Sequence, residues 1–346
     1  MNTTIQVCGV IERARQTVEH CAQPRGGFRL QLLAGISASA VVLAAGSARS
    51  EAILINNPPL LIKRVETGAK GSDAYSTGMW WWYKAYEAMA GSGGPLLDYR
   101  NNTVINTGIA QRAIEFGSIG GQGGTGLKSD MGGATGGAGG PVTFVQAASA
   151  VQTGDPTSGT APASLSSLLG VYSIGGRGGA GNLAVMDDHL ELYASAGAGG
   201  AGGDVTVTHQ SSLETFARYL GGIVVSSKGG AGGAEGILSG GSAAAGAGMG
   251  GASGLAKLTI DKGASVTTHG TGAAAVVIES IGGDGSRAHG QDSAGGHAGS
   301  AARSDNRPSI SLSSAGSIKT TGDYAPAFVL QSVGGKGGKG GTAAGG

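Results

Sequence analysis

Apolar and polar residues alternate along this chain in short bursts, and the bursts return at nearly constant intervals. Five of them close on a serine: Ser118, Ser173, Ser227, Ser280 and Ser332, spaced by 55, 54, 53 and 52 residues. Four positions before each serine stand Ile114, Leu169, Ile223, Val276 and Phe328, and two before stand Phe116, Val171, Val225, Ile278 and Leu330. The residues immediately before the serines are mostly polar: Gly117, Tyr172, Ser226, Glu279 and Gln331. A period of two is that of a strand with one buried face. The pattern therefore predicts a strand ending at each serine, with the serine and its two apolar predecessors facing inward.

Alternation also occurs upstream. VTVT (205–208), LTID (258–261) and ISLS (310–313) each lead into a small-residue turn, followed by SSLET, ASVTT and GSIKT. Val104, Leu213, Val266 and Ile318 all lie fourteen residues before their serines. Each unit thus offers about three short strands over roughly 25–30 residues, the length of one solenoid coil, and the period of 52 to 55 residues marks a repeat architecture. The predicted fold is all-β: a right-handed β-solenoid in which residues 52 to 55 apart, such as Ile278 and Leu330, become vertical neighbours. The second unit is enlarged between Val151 and Leu165, where PTSGTAPAS reads as a long turn.

The rest of each unit is glycine and alanine: GGATGGAGG, ASAGAGGAGG, SAAAGAGMGGASG and SAGGHAGSAA. Glycine supplies 71 of 346 residues, about three times its usual share. Such tracts cannot form an apolar core. They read as loops protruding from one corner of the solenoid, either disordered or associated as polyproline-like strands, with the paired glycines of each SIGG motif adopting conformations closed to other residues. Only 13% of residues are charged and the net charge is +1, so the basic footprint of a nucleic-acid binder is missing and no nucleic-acid partner is expected.

The N-terminal end has a different character. Arg13, Arg15, Arg25 and Arg29 precede the apolar run LQLLAGISASAVVLAAG (30–46), and a small-residue site follows. Residues 1–52 read as an extended signal peptide, cleaved after Ala52 or Ala48; the run is too short for a membrane span. Both cysteines, Cys8 and Cys21, fall inside it. Residues 53–98 read as an N-terminal cap, because an open solenoid end exposes strand edges. Within MWWWYKAYEAMAG (79–91), Met79, Tyr83, Tyr86 and Ala90 have helical spacing and predict a short helix; Trp80, Trp81 and Trp82 offer a rival reading as a carbohydrate platform. Residues 99–346 form the repeat region.

The unit seen best in SISLSSAGSIKTTGDYAPAFVLQSVGGKGGKGG (309–341) resembles the tandem units of glycine-rich autotransporter passengers of Gram-negative bacteria, which use type V secretion. The resemblance implies a β-helix at the cell surface or in the medium, an adhesin or cell-contact role, and passage through outer-membrane translocation machinery. It also implies contacts with surface glycans or neighbouring cells. Members of that family end in a C-terminal β-barrel. This sequence stops at GGTAAGG, so a truncated passenger is expected, periplasmic if the truncation is real.

Several motifs suggest chemistry without completing it. GxGxxG occurs at 121–126, 176–181 and 335–340, but a dinucleotide fingerprint needs a following helix and a downstream acid. AGSGGP (90–95) resembles a serine-protease motif, with Ser92 at the nucleophile position but Gly91 in place of the aspartate. GGAGGDVTV (199–207) brushes a calcium nonapeptide, yet the equivalent loops offer Arg177 and Lys228. His189, His209, His269, His289 and His297 show no repeated metal spacing, and Asp187, Asp188 and Glu191 read as a solvated insertion. The expectation is a non-enzymatic protein without catalytic, cofactor or metal site, the five serines acting as structural anchors of the repeat. Two other readings stand beside it: the scaffold of a secreted enzyme whose catalytic module is missing, and a glycine-rich coat protein.

Overall fold

The computed structural model describes residues 55–56, 62–77, 84–108, 112–126, 132–153, 166–181, 183–186, 190–193, 195–234, 246–288, 294–301 and 308–340. Among them every regular element is a β-strand. Three parallel sheets stack rung upon rung in a β-solenoid. The first contains Ile62–Thr67, Ile114–Ile119, Ser166–Ile174, Leu220–Lys228, Val276–Ile281 and Phe328–Val333, side by side in chain order. The second contains Leu97–Asn101, Val142–Gln146, Val205–His209, Ala256–Ile260 and Ile310–Ser314. The third contains Ile55–Asn56, Ile105–Thr107, Ala150–Gln152, Ser212–Thr215, Ser265–Thr268 and Ser317–Thr320. Five rungs visit the second, third and first sheets in turn, and the N-terminal rung shows strands in the third and first alone among the described residues; glycine tracts connect one rung to the next.

The registers follow from the alternation. Ile114, Leu169, Ile223, Val276 and Phe328 are successive partners, as are Phe116, Val171, Val225, Ile278 and Leu330. In the middle rungs these side chains are wholly buried and meet Phe144, Val207, Leu258, Leu213 and Val266 from the other two sheets. Fully burying a side chain of this size contributes about 1.5–3 kcal/mol. A one-residue slip would turn the whole column outward, so burial fixes the register. Tyr99 and Phe116 stack with ring centroids 5.5 Å apart, and Phe116 packs against Phe144 at 5.3 Å.

Polar side chains occupy the inward corners and hold the turns. At the end of the second sheet Asn101, Gln146 and His209 are register partners, and Asn101 Nδ2 donates to Gln146 Oε1 at 3.0 Å. At the end of the third sheet stand Thr107, Gln152, Thr215, Thr268 and Thr320. Thr215 Oγ1 donates to Leu220 O and Thr268 Oγ1 to Ala273 O, each reaching across its own turn.

The repeat extends further toward the N-terminus than its serines. Ile62–Thr67 pairs in register with Ile114–Ile119, placing Arg64 opposite Phe116 and Glu66 opposite Ser118. This is a sixth rung in which Ile62 packs against the core while the next two inward positions are charged, with Arg64 Nε donating to Glu66 Oε1 at 2.7 Å. Of the short helix expected over 79–91, residues 79–83 lie outside the described residues, and Lys84–Tyr86 forms an antiparallel hairpin with Tyr75–Thr77 instead. Helical spacing is overridden there by this pairing and by the Tyr75–Tyr86 stack at 4.4 Å. The leader and Trp80–Trp82 lie outside the described residues. At the other end, Phe328 and Leu330 are largely exposed on the last rung.

Candidate functional surface

Beyond the first sheet the described glycine residues fall into outgoing segments and later return segments, which form two antiparallel layers. Their hydrogen bonds repeat every three residues. In one outgoing segment, Gly120, Gly123 and Gly126 donate to Ile174, Arg177 and Ala180 of the next rung at 2.8–2.9 Å. Their neighbours Gly121 and Gly124 donate to Ser92 and Met89 in the return segment of the preceding rung. The return segment copies the rule: Gly136 and Gly139 donate to Ala198 and Ala201, while Ala134 and Gly137 donate to Gly124 and Gly121. Three residues per turn with all bonds made between segments is the geometry of polyproline II strands. Of the two conformations open for these tracts, the associated one is found.

Packing dictates why the residues are glycine. A Cβ on Gly121 would stand less than 3.0 Å from Ala69 O; the same holds for Gly176 against Gly121, Gly230 against Gly176, Gly283 against Gly230 and Gly335 against Gly283. Each Cβ would point at the rung before it. The first member of this column, with no described rung before it, carries a side chain, and it is Ala69. Positive φ is not the reason, contrary to the conformational expectation: among described glycines only Gly263 and Gly272 adopt it, and both lie in solenoid turns.

The serines fasten the two parts together. Ser118, Ser173, Ser227, Ser280 and Ser332 are consecutive register partners, and the first four are wholly buried. Ser173 Oγ donates to Gly140 O at 2.8 Å and accepts the Gly203 amide at 3.0 Å. Ser227 donates to Gly203 O and accepts from Gly254, both at 2.8 Å. Ser118 does the same with Pro95 O and the Gly140 amide. Each hydroxyl thus bridges two successive return segments. Ser280 donates to Gly254 O and meets Ser253 Oγ, and Ser332 meets Ser309 Oγ, the last two both at 2.7 Å.

Every third residue of the slab projects to solvent, and the two faces differ. The outgoing face shows Lys70, Gln122, Arg177, Ala231, Asp284 and Lys336 in one column. Asp73, Thr125, Ala180, Ala234, Arg287 and Lys339 form the other. The return face shows Thr135, Ala138, Ala198, Ala201, Met249 and Ala252, then His297 and Ser300, with no Asp, Glu, Lys or Arg among them. A third surface is the outer side of the first sheet, where a shallow groove of about 420 Å³ runs past Arg112, Glu115, Tyr172, Lys228 and Glu279. Tyr172 lies over Gly117 and Arg112 over Gly170, so the glycines make room for flat-lying side chains. The Tyr172 hydroxyl donates to Glu115 Oε1 at 3.1 Å, and burial, then the Glu115 charge, push its pKa up to about 12. Glu115 is bracketed by Lys63 at 3.2 Å and Arg112 at 3.6 Å, and Glu279 by Lys228 at 3.2 Å.

The residues with suggestive motifs have structural partners. The three GxGxxG stretches are outgoing slab strands, and Ser92 Oγ accepts the Ala69 amide at 2.5 Å. Asp204, in the calcium-like nonapeptide, accepts the Leu255 amide of the next rung at 2.8 Å. His209 is buried, its Nε2 donating to Ser265 O at 3.0 Å, and burial lowers its pKa. His269 stacks on Phe216 at 4.3 Å and sits 2.8 Å from both Glu214 Oε1 and Thr321 Oγ1. No group of three or more His, Cys, Asp or Glu among the described residues is arranged to hold a metal. His189, His289, Asp187 and Asp188 lie outside the described residues. Compared with known proteins, the chain matches no family model, no curated protein and no solved structure.

Proposed function

We propose that this chain is a non-enzymatic passenger of the autotransporter type, displayed at the cell surface or secreted, whose glycine slab makes contact with other surfaces. The observation that carries this reading is the slab: a flat, bonded, two-faced array that presents side chains in columns at the rung spacing of about 4.8 Å. Such an array suits many weak contacts made together, whose combined strength rises through effective concentration. The leader and the resemblance of the repeat unit support export across the inner membrane and passage through outer-membrane machinery, with surface glycans or neighbouring cells as the partners met outside. The wholly buried serines serve the scaffold, tying slab to solenoid, and are not reactive groups in this reading.

The test is adhesion of the purified full chain to bacterial and host cell surfaces. Saturable binding is expected, and it should be lost when Gly176→Val and Gly230→Val together break the slab while the solenoid keeps its β-sheet circular dichroism. Undiminished binding by that variant would move the contact surface to the solenoid, and no saturable binding by the parent chain would favour a coat role.

A further inference from the structure

The two slab faces share one backbone geometry and differ in charge. In the inner rungs of the outgoing layer, the first two amides of each triplet are consumed by neighbouring segments, and the third points outward with its side chain. Among the described residues two of these outward amides have an acceptor, and in both cases it is a carboxylate. The Thr125 amide donates to Asp73 Oδ1 at 2.7 Å, and the Lys336 amide donates to Asp284 Oδ1 at 2.7 Å. Each aspartate stands one rung earlier in the same column. The bond to Thr125 is also the largest cause holding the Asp73 carboxyl below its ordinary range. The outward amides of Arg177 and Ala231 have no acceptor among the described residues.

Around them, Arg177, Arg287, Lys336 and Lys339 are exposed and without an ion-pair partner among the described residues. The return face repeats the outward amides but carries no Lys or Arg among the described residues. It is an internal contrast: donors without cations.

We infer that the outer face of the outgoing layer binds carboxylate-bearing polysaccharides, a carboxylate on the ligand taking the place at Arg177 and Ala231 that Asp73 and Asp284 take elsewhere. An N–H donor paired with a nearby guanidinium or ammonium is the setting in which a carboxylate is held most strongly. The donors recur at about 4.8 Å up each column and about 9 Å between columns, three residues of polyproline II rise. A flat face with periodic donors suits a polymer with periodic acids better than a single small anion. A phosphate polymer could use the cations, but the tethered acceptors in the structure are planar carboxylates bonded to amides.

This deepens the contact reading and rests on it for where the ligand is met. The test measures binding of the full chain to immobilised polygalacturonate, with dextran as the uncharged control and duplex DNA as the phosphate polyanion. Saturable binding to polygalacturonate and none to dextran is expected. The triple variant Arg177→Gln, Arg287→Gln, Lys336→Gln should bind about tenfold more weakly, from three exposed charge contacts, with unchanged circular dichroism. Asp284→Ala should bind more tightly than Asp284→Asn, because both remove the charge but only alanine frees the Lys336 amide. Equal binding by the triple variant, equal binding by the two Asp284 variants, or DNA bound as tightly as polygalacturonate would each overturn the inference. A chain that adheres to cells but not to polygalacturonate sinks this inference alone; one that binds polygalacturonate but no cell surface sinks the contact reading alone.

Discussion

Replacing Gly230 with alanine adds one methyl group at the centre of the slab, where the structure leaves no space. The new Cβ would stand less than 3.0 Å from the Gly176 carbonyl and from Gly175 O, both backbone atoms already held in the ladder. Relief requires rungs to separate locally, which strains the bonds from the Gly230 amide to Gly200 O and from the Gly176 amide to Gly137 O, at 2.8 and 2.7 Å. Overpacking of this kind costs about 1–3 kcal/mol, and each weakened hydrogen bond adds about 1 kcal/mol. Against this, alanine restricts the unfolded chain and returns about 0.4–1 kcal/mol. The net expectation is a loss of about 2–4 kcal/mol, read from urea unfolding followed by circular dichroism. Ala231→Gly, one residue along and facing solvent, should change stability by less than about 1 kcal/mol. The sign decides: in a free loop Gly230→Ala would be neutral or slightly stabilising, and that result would refute the packing argument.

Ser227→Ala strands the Gly203 carbonyl and the Gly254 amide, and should cost about 1–3 kcal/mol, while Ser332→Ala on the exposed last rung should cost much less; equal effects in thermal melts would deny the clamp. Ile278→Ala in the buried column should lose about 2–5 kcal/mol, whereas Leu330→Ala one rung later should lose a fraction of that. Buried His209 has its pKa lowered in the folded chain, so below about pH 6.5 the unfolded state binds more protons and stability falls with acidification. His209→Gln, matching Gln146 in the same column, should flatten that fall, and an unchanged pH profile would exclude His209 as its source.

The solenoid was legible because burial writes directly into sequence: the positions four and two before each serine are apolar in all five units, and they are the columns that fill the core. The sixth rung was hidden for the same reason. Arg64 and Glu66 replace the apolar residue and the serine, so only register reveals Ile62–Thr67 as a repeat. The helix expected over 79–91 fails for Lys84–Tyr86, where pairing with Tyr75–Thr77 outweighs side-chain spacing. The slab is written less directly. Glycine reports only that a Cβ is not tolerated, and in Gly121, Gly176 and Gly230 the obstacle is a carbonyl one rung away rather than a left-handed turn. A period of three did exist in GGRGGAGG and GGATGGAGG, with larger residues at every third place, and it is the signal that separates bonded polyproline-like layers from a loop.

Amide hydrogen exchange resolved by residue across 175–180 tests the slab most directly. Gly175, Gly176, Gly178 and Gly179 donate within the slab and should exchange slowly, while Arg177 and Ala180 exchange fast, giving two slow amides and one fast in repeating order. Uniformly fast exchange through this stretch would mean that the glycine tracts are not bonded to one another, and the account of this molecule would fail with them.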